Sequence, residues 1–396
     1  MPVNTVPAQG CHQSEGDDMA DEAGPQRGQQ GEMIDFATAV STARTLLRPG
    51  PHATRGEIAA AVSDLRTDAS RALGLVQDAS GLTPAGDLQS SVLVVDRHGW
   101  VQANAAMFAD LLKPLFERMA ARHDVSNILG RVGAQVTGFE LGALLAFLSS
   151  KVLGQYDPYH QKADGSAGRL LLVAPNIVAV ERELRLPPAD FRLWVALHEQ
   201  THRLQFIAVP WLAGHLRSRL DVLLSSEDLD PLVLAGRLKD GIADAVQTLK
   251  GQQGEKPPSL IELLQTPGQR ALLEEITAVM SLLEGHADVV MDLAGKDTIE
   301  SLSLIRSRFD HRRSVGASPA DALVRRLLGL DAKLRQYTEG AAFVRAVIAA
   351  VGIEGLNQVW SGPESLPTLA EITAPETWLA RVHGADVGAT SEPAAG

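Results

Sequence analysis

Leu193-Trp-Val-Ala-Leu-His198-Glu199-Gln-Thr-His202-Arg-Leu-Gln-Phe206 is the stretch from which the rest of the chain is read. Leu193, Val195, Leu197, Leu204 and Phe206 recur at helical spacing, so the segment reads as an amphipathic helix. On such a helix His198 and His202 stand one turn apart on one face, and two imidazoles so placed reach a single metal ion. Glu199 lies roughly 100° further round. It sits beside that ion but not on it, where a carboxylate can take a proton from an activated water. A bare H-E-x-x-H also arises on solvated surface helices. Its helical context raises its weight, and a third ligand decides it.

The metzincin form of the motif needs Gly at 205 and His at 208, where this chain has Gln205 and Ala208. That form is excluded, and a carboxylate from a later helix remains. Met280-Ser-Leu-Leu-Glu284-Gly-His286-Ala-Asp288 places Glu284 and Asp288 at i,i+4 on one helix face. Glu284 could complete a His2Glu set for one Zn2+, and Asp288 could accept the free N–H of a ligand histidine. Glu274 and Glu275 compete on the same helix, but neither has an acid four residues on. His286 falls about 200° from Glu284 and reads as a packing or surface histidine. His215, after Pro210, reads as an exposed helical one.

Composition narrows the class. The chain has 396 residues, 45% hydrophobic and 21% charged, a globular mix long enough for two or three lobes. Aromatics make up only 4%, so the core must be mostly Leu, Val, Ala and Ile, which favours helices packed on helices. A net charge of −12 argues against nucleic acid as a partner, since phosphate contacts need a basic footprint. Cys11 is the only cysteine. No intrachain disulfide can form, any metal must rest on His and carboxylate, and a reducing compartment fits. No secretory signal or bilayer-spanning stretch is visible, so a cytoplasmic protein without a membrane partner is expected.

Along the chain, residues 1–32 (rich in Gly, Gln, Pro and acid) read as a disordered tail, and a natural start at Met33 is as good a reading as Met1. Helices are expected at about 35–47 and 55–77, a strand at 90–96 with a turn at 97–100, and helices at 103–122 and 136–153, the latter buried. A loop is expected at 154–159. Residues 169–180 are the best strand candidate, broken at Pro175 and Asn176. They would form either an edge strand that binds extended substrate by β-addition or a core strand under the helix. Prolines 187 and 188 with Asp190 mark a helix entry, and Pro210 its end. Helices follow at 211–225 and 231–250, a loop at 251–258 and a long helix at 268–294. Residues 297–350 are helical with a basic stripe (Arg306, Arg308, His311, Arg312, Arg313, Arg325, Arg326). That stripe reads as a solvated face or a contact for an acidic partner. Residues 385–396 are a second tail. The bulk, 33–384, reads as one domain, divisible into an N-terminal lobe (33–185) and a C-terminal lobe (186–384) with the active site between them.

With Glu284-x-x-x-Asp288 following His198-Glu199-x-x-His202, the chain resembles the gluzincin metalloproteases. More closely, it is similar to an actinobacterial zincin-like family often labelled a zinc-dependent metalloprotease or a hydrolase associated with coenzyme F420 biosynthesis. Val94-Val-Asp-Arg-His-Gly-Trp100, Leu153-Gly-Gln-Tyr-Asp-Pro158, Leu170-Leu-Leu-Val-Ala-Pro-Asn176, His198 to Phe206, Met280 to Asp292 and Leu328 to Tyr337 carry the likeness. It implies a mainly α zincin-like fold of gluzincin type with a small β component. The gap between His202 and Glu284 is much longer than in thermolysin.

The chemistry expected is hydrolysis of a peptide or protein amide, with Glu199 as base and His198, His202 and Glu284 as zinc ligands. Tyr156, Tyr159, His311, Arg312 and Tyr337 are candidate oxyanion donors. The competing readings are a catalytically silent zinc-binding or partner-binding protein, and a zinc hydrolase of a non-peptide amide or ester.

Overall fold

The computed structural model describes residues 34–86, 90–122, 128–161, 167–225, 266–314 and 330–384. The two expected tails, the helix expected at 231–250, the loop expected at 251–258, and Arg325 and Arg326 lie outside them, as do the side chains of Arg313 and Tyr337. Helices α1 (Phe36–Leu46) and α2 (Arg55–Ser80) lead into β1 (Ser91–Val95). Helices α3 (Arg97–Arg122) and α4 (Ile128–Ser149) precede β2 (Gly154–Gln161) and β3 (Ala167–Val173). Then come α5 (Ala174–Glu183), α6 (Pro188–Ala208), α7 (Pro210–Ser225), α8 (Pro267–Gly295), α9 (Leu302–Ser314) and α10 (Leu330–Leu356), with α11 (Leu369–Thr373) and α12 (Pro375–His383) closing the chain. The fold is mainly α with one small sheet, as the sparse aromatics and the helical periodicity imply. Among the described residues no helix is long and apolar enough to cross a membrane.

Helix α6 is the axis of the core. Its prolines sit at the start, where a missing N–H loses nothing and φ is already helical. Phe191, Leu193, Trp194, Val195, Ala196, Leu197 and Leu204 are all buried, and so are Arg192, Gln200, Thr201, Arg203 and Gln205. The helix is therefore buried around most of its circumference rather than amphipathic. Arg192, Gln200, Thr201, Arg203 and Gln205 can lie inside because each makes hydrogen bonds there. Arg192 holds Glu181 of α5 through two hydrogen bonds (2.9 and 2.8 Å) and Asp64 of α2 at 2.7 Å. Gln200 donates to the Ala69 carbonyl at 2.7 Å. Arg203 donates to the Ser90 hydroxyl and carbonyl at 2.6 and 2.7 Å. These contacts tie α6 to α2, α5 and the residue that leads into β1, and one core runs from α2 through α6 to α8 and α10 across residue 185.

The sheet order is β1-β3-β2, with β1 parallel and β2 antiparallel to β3. Strand β3 is central, and Leu170, Leu171, Leu172 and Val173 are at most 1% exposed. The core-strand reading of this segment therefore holds, and the edge positions belong to β1 and β2. Several boundaries differ from expectation. The loop expected at 154–159 is β2, pinned by an Asp157–Arg169 ion pair across the ladder. The strand expected to run on to residue 180 ends at Val173, because Pro175 opens α5 within its first turn. Asn176 then locks the junction, donating to the Ser149 and Val152 carbonyls (2.6 Å each) and accepting from Arg97 at 2.7 Å. The turn expected at 97–100 is the first turn of α3, since the Asp96 carboxylate accepts the Gly99 N–H at 2.7 Å as an N-cap does. Helix α4, expected to be buried, exposes Val136 and Phe139 at 54% and 56%.

Three arginines of the basic stripe make contacts within the molecule. Arg306 pairs with Asp288 and Asp292 of α8, Arg308 donates to the Leu184 and Arg185 carbonyls, and Arg312 pairs with Glu183 at 3.0 Å. These arginines fasten α9 over α5 and α8, while Arg312 stays exposed.

Candidate metal centre

Helix α6 brings His198 and His202 to one face, and α8 crosses it so that Glu284 faces both. The His198 and His202 Nε2 atoms are 3.2 Å apart, and Glu284 Oε2 is 3.8 Å from the first and 3.7 Å from the second. A tetrahedral zinc with bonds of about 2.0–2.1 Å would put its ligand atoms roughly 3.3 Å apart, so this set is close to the size of one ion. Among the described residues it is the one group of three His, Cys or acid side chains so arranged. The cluster is open to solvent on one side, with side chains 28%, 15% and 25% exposed. Burial lowers the affinity of His202 for a proton, but the Glu284 carboxylate outweighs it and holds the imidazole up at about 9. The donor chemistry, two imidazoles and a carboxylate with an open side, is that of catalytic rather than structural zinc.

Glu199 is buried against this cluster. Desolvation, with the Glu284 charge adding to it and His202 opposing, pushes its carboxyl up to about 7. The first residue of β2 lies over it. A Cβ at position 154 would stand 2.5–2.8 Å from the Glu199 side chain, so only glycine leaves room for the carboxylate there. The chain pattern gave no sign of this contact, because the segment read as a loop.

Two further polar residues meet the cluster from behind. His202 Nδ1 is 3.0 Å from Gln205 Oε1. Gln205 Nε2 lies 2.8 Å from the Leu283 carbonyl and 3.0 Å from His286 Nδ1. The sequence carries a signal for Gln205 alone, which follows His202 by three residues and so lies on the same side of α6. His286 is fully buried, edge-on to the Trp360 ring at 5.3 Å between centroids, and burial beside His202 drives its pKa down to about 3.

Asp288 lies one turn beyond Glu284, with one oxygen on Arg306 at 2.5 Å and the other on Arg345 at 2.9 Å. Burial raises its pKa, but those two cations together with His198 leave it below the usual range. The oxyanion candidates are dispersed. Tyr156 packs on Phe206 with ring centroids 5.6 Å apart, and its hydroxyl faces Ser90. Tyr159 lies under the Arg217 guanidinium. Arg312 is committed to Glu183, His311 is exposed on α9, and Tyr337 lies on α10 with its side chain outside the described residues. His215, expected to be exposed, has its ring 9% exposed and 3.6 Å from Glu275, because α7 packs it between Trp211 and α8. Glu275 is also held by Arg219 at 2.7 Å, away from the cluster.

Residues 34–379 match the model of a family described as zincin-like metallopeptidase. No curated protein matches the chain. A crystal structure from Chloroflexus aurantiacus, described as a "putative hydrolase with a novel fold", is similar at 31% identity and a TM-score of 0.62, covering 88% of this chain and 99% of that one.

Proposed function

The chain belongs to the zincin-like metallopeptidase family, and we propose that it is a zinc-dependent hydrolase of peptide amides with Glu199 as its general base. The observation that carries the reading is the convergence of His198, His202 and Glu284 from two helices, with the Glu199 carboxyl buried beside them. A zinc ion held there supplies Lewis acidity, which lowers the pKa of water and polarises a carbonyl.

The rest of the reaction falls to side chains. Glu199 points away from the ligand face by one helical step, which keeps it off the ion and free to take a proton and pass it to the leaving amine. The absence of a side chain at Gly154 leaves the carboxylate room beside the ligand cluster. Strand β2 lies at the sheet edge and starts directly over Glu199. An extended substrate added to that edge would run past the base, which favours a peptide over a small ester. Asp288, near His198 and held as an anion by Arg306 and Arg345, is assigned to orient that ligand.

The test is zinc content together with digestion of a broad peptide library. The wild-type protein should bind one zinc per chain and cleave. Glu199→Gln should keep the zinc and lose about 10²–10⁴-fold in turnover. Stoichiometric zinc with no cleavage by the wild type would sink the hydrolase reading in favour of a binding protein.

A further inference from the structure

We infer that Gln205 and His286 form an uncharged relay that fixes His202 in the one tautomer able to ligate through Nε2. The inference rests on the proposed metal centre, but the geometry that carries it lies behind that centre. The Leu283 carbonyl can only accept, so the Gln205 atom 2.8 Å from it must be the amide nitrogen. That contact settles which way the carboxamide faces. Its oxygen then points at His202 Nδ1, 3.0 Å away, and an amide oxygen only accepts. The proton of a neutral His202 therefore sits on Nδ1, and the lone pair is on Nε2, the atom facing His198 and Glu284.

The second amide hydrogen of Gln205 reaches His286 Nδ1 at 3.0 Å, so His286 accepts there and carries its own proton on Nε2. That Nε2 is buried without a hydrogen-bond partner and the ring abuts Trp360. Packing alone gives no reason for an imidazole at this place, since a phenyl ring would fill it without stranding a donor. Acceptance from Gln205 is the property an apolar side chain lacks. The relay is neutral throughout, where ligand histidines more often lean on a carboxylate. With Glu199 and Glu284 already close to His202, an amide orients the ring without burying a third anion.

Gln205 and His286 are thus positioning residues, and the test reads the ring itself. In zinc-free protein labelled with ¹⁵N-histidine, at about pH 10.5 where an ordinary histidine is neutral, wild-type His202 should show Nδ1–H, with its signals identified by their loss in His202→Asn. Gln205→Leu should shift His202 towards Nε2–H and weaken zinc binding by about 10–100-fold in chelator competition. His286→Phe, which keeps the Leu283 anchor, should weaken zinc by less. Circular dichroism of each zinc-free variant should match the wild type. An Nε2–H tautomer in the wild type overturns the inference, as does zinc affinity in Gln205→Leu within twofold of wild type. A wild type that binds no zinc but shows Nδ1–H at His202 refutes the metal centre and leaves the relay standing.

Discussion

At the scale of single residues, the chemistry of a metal centre demands groups at fixed spacing, and one face of α6 supplies two of them in His198 and His202. His198, Glu199 and His202 could be read from one turn of helix, and Glu284 from the acid pair it forms with Asp288. The structure brings the three ligand candidates within 4.8 Å of one another. What escaped was contact between residues distant in sequence. Gly154 is the clearest case, since its importance lies wholly in what a Cβ would strike. Ala at 154 would meet Cγ, Cδ and Oε1 of Glu199, so the carboxylate must swing or β2 must move. Gly154→Ala should leave zinc affinity within a few fold and lower turnover by about tenfold or more, since small misplacements of a reacting group are expensive. Turnover equal to wild type with zinc bound would show that Glu199 has another position from which to work.

At the scale of elements, periodicity located most helices to within several residues, but β2 reads as a loop and the start of α5 as the continuation of a strand. Pro175 read as a strand break but is the opening of α5, and Asp96 read as a strand end but is the cap of α3. In both, one local signal fits two structures, and tertiary contacts such as those of Asn176 decide between them. The crossing of α8 and α10 shows what no pattern reveals. A Cβ on Gly285 would run into the backbone of Gly340 and Ala341, and one on Gly340 into the backbone of Ser281. The two helices therefore touch main chain to main chain, immediately beside Glu284. Gly340→Ala has no flexible side chain to push aside and must separate the helices, at a cost of about 1–3 kcal/mol. Its melting temperature should fall and its zinc affinity with it, because α8 carries a ligand. A melting curve unchanged from wild type would show that the crossing can open without penalty.

For the molecule as a whole, composition already excluded a small disulfide scaffold and favoured helices, yet the lobes it suggested are crossed by a single core. Helices α2, α6, α8 and α10 share that core, and buried Phe191, Leu204, Leu282, Phe343 and Val347 belong to it. The two helices that hold the ligands are thus joined by packing before any ion binds, which sets how metal and folding are linked. A site whose helices meet only through the ion unfolds when the ion is removed. Here α6 and α8 meet through a large apolar interface and the Gln205–Leu283 hydrogen bond, so zinc adds stability without creating the fold. Binding to the native state alone stabilises by about 4 kcal/mol when free zinc is 1,000 times its dissociation constant. For a chain of 396 residues that amounts to a rise in melting temperature of about 5 °C. Chelation should therefore lower the melting temperature while leaving far-ultraviolet circular dichroism at 25 °C unchanged, and Glu284→Ala should melt alike with and without zinc. Loss of helical signal on chelation at 25 °C would mean that the ion, and not the shared core, holds α6 against α8.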